Sequence, residues 1–149
     1  YKGTIEIDDV NIKKRRNINH IRSSKIEYVM PKDNLFSFLN VYENITYFKQ
    51  NYDDTLIKGI DVNKNINELS GGEKLLVTLT KALNSPNAVI ILDEITSQLD
   101  KEHTSLVFDY LKKLQKDKLI ILITHDVRLL NKDTATILEL KEGKLYDCN

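Results

Sequence analysis

The chain is 149 residues long, the size of one domain and enough to bury a core. Hydrophobic residues make up 41% and charged residues 30%, and 22 Lys+Arg balance 22 Asp+Glu at formal net charge +0, so composition makes no global electrostatic case for nucleic acid or an anionic membrane. The one cysteine, Cys148, excludes an internal disulfide framework and fits a reducing cytosol, while no run approaches the roughly 18 apolar residues of a membrane span and no signal peptide is recognisable. The chain opens on Tyr1 rather than Met, as a piece of a longer protein would.

In chain order, Thr4-Ile5-Glu6-Ile7-Asp8 alternates apolar and polar residues and predicts a half-buried strand. A polar, basic loop is expected next, with Lys13-Lys14-Arg15-Arg16 as a solvated run. Lys25 to Val29 predicts a second strand, stopped by Pro31. A loop and then a helix over about Phe38 to Phe48 follow, and Asn51 to Asn67 reads as loop or short irregular helix. Leu75, Leu76, Leu79 and Leu83 stripe a helix that Asn84-Ser85-Pro86-Asn87 ends. Ala88 to Leu92 predicts a parallel strand buried on both faces. Leu106, Val107, Tyr110, Leu111 and Leu114 stripe a further helix, and Leu119 to Ile123 reads as another buried strand ending at Thr124-His125-Asp126. Thr136 to Leu140 and Lys144 to Tyr146 flank Lys141-Glu142-Gly143, a hairpin signal. This order predicts an α/β fold with a parallel core and flanking helices.

Two motifs carry chemistry. In Leu69-Ser70-Gly71-Gly72-Glu73, Ser70-x-x-Glu73 is a capping box, a purely structural device. The two glycines lower helix propensity by about 1 kcal/mol each relative to Ala. In return they let a phosphate approach backbone N–H donors at the positive end of the helix dipole. Some twenty residues on, Asp93-Glu94 ends an apolar strand, where ligands of open α/β sheets gather. The first carboxylate there can hold Mg²⁺ and the second can accept a proton from, or orient, a hydrolytic water. His125 ends the next strand; it reads either as a satisfied structural histidine or as a group that donates to a transferring oxygen or holds the water-positioning carboxylate. His20 and His103 read as surface residues.

In this order and spacing the motifs resemble the ATP-binding cassette (ABC) ATPase family. Leu69, Ser70, Gly71, Gly72 and Glu73 look like its signature motif, and Val89 to Glu94 like its Walker B strand with the catalytic glutamate. Ser97-Gln98-Leu99-Asp100 looks like the D-loop and Ile123-Thr124-His125-Asp126 like the switch-histidine region. Gly3 to Asp9 resembles the strand after the first helix, Tyr28-Val29 to Leu35-Phe36 the Q-loop region, Tyr42-Glu43-Asn44-Ile45 the segment leading into the helical subdomain, and Ile137 to Leu145 the closing hairpin. The resemblance implies a P-loop NTPase-like parallel sheet in one partial domain over 1–149. Within it, about 37–84 would be a shortened helical subdomain including the signature helix, and 85–149 the Walker B to switch-histidine core and hairpin. It implies ATP and Mg²⁺ as cofactors, Asp93 as the metal-holding residue, and Glu94 and His125 as catalytic. It also implies a second cassette as partner, whose ATP would meet Ser70, Gly71 and Gly72, with Asp100 at the dimer interface.

Several departures accompany the match. No G-x-x-x-x-G-K-[ST] loop (Walker A) occurs in the 149 residues, and neither does the upstream aromatic that would stack on adenine; truncation is the expected reason. Pro31 stands where the Q-loop glutamine is expected, with neither a metal-coordinating side chain nor an N–H donor. The Gln-Arg pair after the signature is replaced around Leu75-Leu76, and Thr46 to Glu68 is short for the subdomain that docks on a transmembrane partner. The expected function is the ATP-hydrolysing domain of an ABC transporter at the cytoplasmic face of the membrane, with a transmembrane domain as partner and no nucleic acid. The alternatives are an SMC-like DNA-maintenance ATPase, disfavoured by the lack of sustained heptads, and a degenerate regulatory cassette, disfavoured by retention of Glu94 and His125.

Overall fold

The computed structural model describes residues 3–7, 9–13, 15–30, 35–47, 51–126 and 133–148, without the side chains of 15–17. Its centre is a parallel sheet in the order β3-β4-β5, made of β3 (Ile26–Val29), β4 (Val89–Asp93) and β5 (Leu119–Ile123). The register pairs Tyr28 with Ile91, Leu92 with Leu122 and Asp93 with Ile123, so all three strands run out at one edge. Between β3 and β4 lie α2 (Val41–Thr46), single 3₁₀ turns at Thr55–Ile57 and Ile66–Glu68, and α3 (Gly71–Leu83). Another 3₁₀ turn (Ile95–Gln98) and α4 (Lys101–Leu114) connect β4 to β5.

The apolar stripes read from the sequence form one core. Leu75, Leu76, Leu79 and Leu83 of α3 and Val107, Tyr110 and Leu111 of α4 pack with Val29, Ile90 and Leu92. Burying a Leu or Ile side chain contributes about 1.5–3 kcal/mol, so this layer dominates stability. Leu75 and Leu76, which stand where the family pattern has Gln-Arg, are both buried in it.

The expectation that both central strands are buried on both faces is corrected. On β4, Ile90 and Leu92 are buried while Val89, Ile91 and Asp93 are only half-buried, and on β5 Leu119, Ile121 and Ile123 are exposed. The physical reason is that the residues on the α3 and α4 side join the core cluster, whereas the alternate positions point to the opposite face. An unbroken apolar run cannot reveal which of its two faces a neighbour covers.

The first half shows other differences. The polar, basic loop contains a helix, α1 (Arg15–Ser24), anchored by buried Ile21 and closed where Ser23 and Ser24 hydroxyls donate to the His20 carbonyl. Only Ile18 and Ile21 mark its apolar side, too few to reveal a helical period. The first strand is shorter than expected, β1 (Glu6–Ile7), and pairs antiparallel with β2 (Val10–Asn11). The helix expected over Phe38 to Phe48 begins instead at Val41, because Asn40 caps it reciprocally with Glu43. The expectations for Pro31, Lys32, Asp33 and Phe48 fall outside the described residues. The C-terminal hairpin, β6 (Leu138–Lys141) and β7 (Lys144–Asp147), turns through Glu142 and Gly143, both at positive φ as a two-residue type I′ turn requires.

Candidate functional site: the carboxyl edge of the sheet and the start of α3

Because β4 and β5 are parallel and Asp93 pairs with Ile123, the residues that follow each strand emerge side by side. Glu94 and His125 meet there, with Nδ1 of the imidazole 2.7 Å from Oε2 of the carboxylate. An ionised carboxylate only accepts, so the hydrogen on Nδ1 donates to Glu94. In a neutral ring Nε2 is then an acceptor. His125 can hold the carboxylate while neutral, and it can also donate from Nε2 only as an imidazolium.

Glu94 sits at φ 51°, ψ 33°, in the left-handed region, where a residue with a side chain costs about 1–2 kcal/mol. Hydrogen bonds with neighbouring residues hold it. Its N–H donates to the Ile123 carbonyl at 2.9 Å, the Ser97 hydroxyl donates to its carbonyl at 3.0 Å, and His125 fixes its side chain. Backbone strain retained beside an acid pair marks this edge as a candidate site. Asp93 has a partner that sequence reasoning missed. The Tyr28 hydroxyl donates to its Oδ2 at 2.6 Å across the β3–β4 pair. That phenol is held above the usual tyrosine range, first by this hydrogen bond and then by desolvation.

The second group is the start of α3. Ser70 Oγ accepts from the Glu73 N–H at 3.3 Å and Glu73 Oε2 accepts from the Ser70 N–H at 2.7 Å, so the capping box forms as expected. These bonds hold the Glu73 carboxyl below the ordinary glutamate range. The first four N–H groups of a helix lack intrahelical partners. Here the box takes up those of Ser70 and Glu73, and those of Gly71 and Gly72 meet no acceptor among the described residues, with the Ser70 hydroxyl hydrogen as a third donor. Leu69, just before, is buried and anchors the turn.

The glycines also have a neighbour within the chain. A Cβ on Gly72 would stand 3.4 Å from the Gln98 carbonyl, and one on Gly71 would stand 3.8 Å from Gln98 Oε1. The 3₁₀ turn over Ile95–Gln98 therefore joins the two groups, running from the Asp93-Glu94 edge to the glycine face of α3. Leu99 packs on the core, and Asp100 caps α4 by accepting from the His103 N–H at 2.8 Å. His103, read as a plain surface residue, also places Nδ1 2.8 Å from Asp100 Oδ2, and its contacts hold the Asp100 carboxyl below the usual aspartate range. The Asp-x-x-His spacing at a helix start was the available signal.

ATP and Mg²⁺ fit the donor set. Mg²⁺ takes one or two protein carboxylates and most of its remaining ligands from water and phosphate. Among the described residues no three acids, histidines or cysteines cluster as an all-protein cage would require, while Asp93 stands at the sheet edge beside Glu94. The paired N–H groups of Gly71 and Gly72 suit a phosphate oxygen.

A family model described as ABC transporter matches residues 1–97. The lipoprotein-releasing system ATP-binding protein LolD of Buchnera aphidicola is 29% identical, over 97% of this chain and 71% of that protein. The methionine import ATP-binding protein MetN 1 of Bacillus thuringiensis is 30% identical, over 97% of this chain but only 50% of its own length. Among solved structures, the dimeric ATP-binding cassette MJ0796 in a post-hydrolysis state with ADP and Pi superposes with a TM-score of 0.79 at 23% identity, covering 99% of this chain and 74% of that one. At that identity the likeness establishes the fold: an ABC ATPase cassette, α/β with a parallel core. With 97 of its 149 residues under the family model, this chain belongs to the ABC transporter family.

Proposed function

We propose that the chain is part of the ATP-binding and ATP-hydrolysing domain of an ABC transporter, working in a dimer of cassettes beside a transmembrane partner at the cytoplasmic face of the membrane. The observation that carries this reading is the Glu94–His125 contact at the shared edge of β4 and β5, with Asp93 adjacent. The sequence contains no Walker A loop, so the complete cassette must supply those phosphate-holding groups from other residues. Residues of about 37–84 would serve as the helical subdomain, and 85–149 as the catalytic core and closing hairpin.

The chemistry supplied with bound ATP and Mg²⁺ is neutralisation of charge on the transferring phosphoryl group. Asp93 would hold the cation or one of its waters. Glu94 would orient the attacking water and accept its proton at the carboxylate. His125 keeps that carboxylate in one rotamer through Nδ1. The Gly71 and Gly72 N–H groups, with the Ser70 hydroxyl, would donate to the nucleotide held by the other cassette. Asp100, capping α4, would lie where the two cassettes meet.

The test is Mg²⁺-dependent ATP hydrolysis by the complete cassette. Glu94→Gln keeps the shape of the side chain and one acceptor oxygen but removes the base. Turnover should fall by about 10²-fold or more. Hydrolysis at the parent rate would contradict the role given to Glu94.

A further inference from the structure

The Tyr28–Asp93 hydrogen bond is the contact at this edge that hydrolysis, as derived from Glu94 and His125, leaves unused. Its geometry follows from the sheet. Tyr28 pairs with Ile91 in the parallel register, so Asp93 lies two residues further along the neighbouring strand, on the same face. A two-residue step of about 6.6 Å and a strand spacing of about 4.8 Å put the diagonal near 8 Å, within reach of a phenol but not of a shorter hydroxyl side chain. The resulting O–H···O separation, 2.6 Å, lies in the range of charge-assisted bonds to a carboxylate.

In this chain neither group depends on the other for a hydrogen-bond partner. Tyr28 is 44% exposed and Asp93 is half-buried, so water could satisfy both groups. What the bond supplies is orientation. The carboxylate torsion of an aspartate is broad and roughly two-fold, and a partner fixed on a strand selects one setting of it. Tyr28 suits that role because its ring has only two side-chain torsions and its backbone is paired in parallel register with β4. An ionised carboxylate has about four acceptor positions and the phenol occupies one of them, on Oδ2.

We propose that Tyr28 is a positioning residue for Asp93, pinning Oδ2 so that the carboxylate presents its other acceptor positions to Mg²⁺ or a Mg²⁺-bound water in a single orientation. The proposal rests on the reading that Asp93 holds the cation. Hydrogen-bond partners of ligating carboxylates characteristically govern metal affinity, and losing one costs about 10- to 100-fold.

Tyr28→Phe in the complete cassette removes the hydroxyl and leaves the ring on the sheet face. The quantity measured is Mn²⁺ affinity at fixed ATP, followed by the electron paramagnetic resonance signal of the free ion. ATP affinity in EDTA and the thermal midpoint without nucleotide are measured alongside. Mn²⁺ affinity should weaken by about tenfold, with the metal-free ATP affinity and the midpoint unmoved. Asp93→Asn should weaken Mn²⁺ binding at least as far, and Tyr28→Phe added to it should cost nothing more. Mn²⁺ affinity within about twofold of the parent in Tyr28→Phe, with Asp93→Asn clearly impaired, would overturn the positioning role alone. An equal further loss in the double variant would overturn it too, since Tyr28 would then act elsewhere. Unchanged affinity in Asp93→Asn would remove the metal role of Asp93 and the positioning role with it.

Discussion

Glu94 combines a left-handed backbone with a carboxylate fixed by a neighbouring imidazole, two features that seldom coincide where a residue only packs. If His125 acts by holding that carboxylate, its loss affects the chemical step rather than nucleotide capture. His125→Ala should lower kcat by about 10²-fold while KM moves by less than about threefold, measured by steady-state ATPase kinetics of the complete cassette. A rise in KM with kcat preserved would place His125 in binding instead. The acids and this histidine were legible because each ends an apolar run, a position that periodicity marks well. Tyr28 was not, because an aromatic inside a strand pattern reads as ordinary strand composition, and only the register decides which side chain it meets. Gln98 was marked only through the D-loop resemblance, and its contact with Gly72 was not legible, since that approach depends on how the turn after β4 folds back on α3.

Among the elements, polar side chains hold the irregular first half together. Asn44 is fully buried; its amide donates to the carbonyls of Phe36 and Asn40, and its Oδ1 accepts from the Phe36 N–H at 2.8 Å. Asn44→Ala should destabilise the fold by about 1–3 kcal/mol in urea titration, because the Phe36 backbone groups lose their partners. A change below about 0.5 kcal/mol would mean that water replaces the amide. A second tie joins the segment before the first 3₁₀ turn to the end of α3: the Asp53 N–H donates to Asn84 Oδ1 at 2.8 Å and the Asn84 amide donates to the Asp53 carbonyl at 3.1 Å, while the Asp53 carboxylate acts electrostatically on the Tyr110 phenol of α4. Burial, then the Asp53 charge, pushes the Tyr110 phenol from 10.0 up to about 12. A folded pKa raised above the unfolded one gives stability that is complete below about pH 10 and is lost as pH rises toward about 12. Tyr110→Phe should flatten that alkaline decline in denaturation curves taken across this window; an identical decline would assign it to other groups. These ties explain what the sequence hid. Asp53 sits in a stretch rich in Asn, Asp and Lys with little periodicity, and Asn44 is a polar residue inside the short helix α2, so their partners were set by folding rather than by spacing. The strong elements, α3, β4, α4 and β5, needed no such help, because their apolar stripes alone specify them.

For the molecule as a whole, the architecture sets two groups apart along one turn. Asp93 and Glu94 lie at the end of β4, and Gly71 and Gly72 stand at the start of α3, with Ile95–Gln98 between them. By itself the 149-residue chain carries no P-loop, so the purified chain should show no Glu94-dependent ATP turnover in a phosphate-release assay. Turnover that Glu94→Gln abolishes would show that the chain is self-sufficient. Hydrolysis at Glu94 is here assigned to a dimer of cassettes, and light scattering after size exclusion tests that assignment without relying on turnover. The complete Glu94→Gln cassette should run as a monomer without nucleotide and double in mass with ATP, the bound nucleotide remaining uncleaved. A monomeric mass at saturating ATP, or ADP in place of ATP in the isolated species, would contradict it.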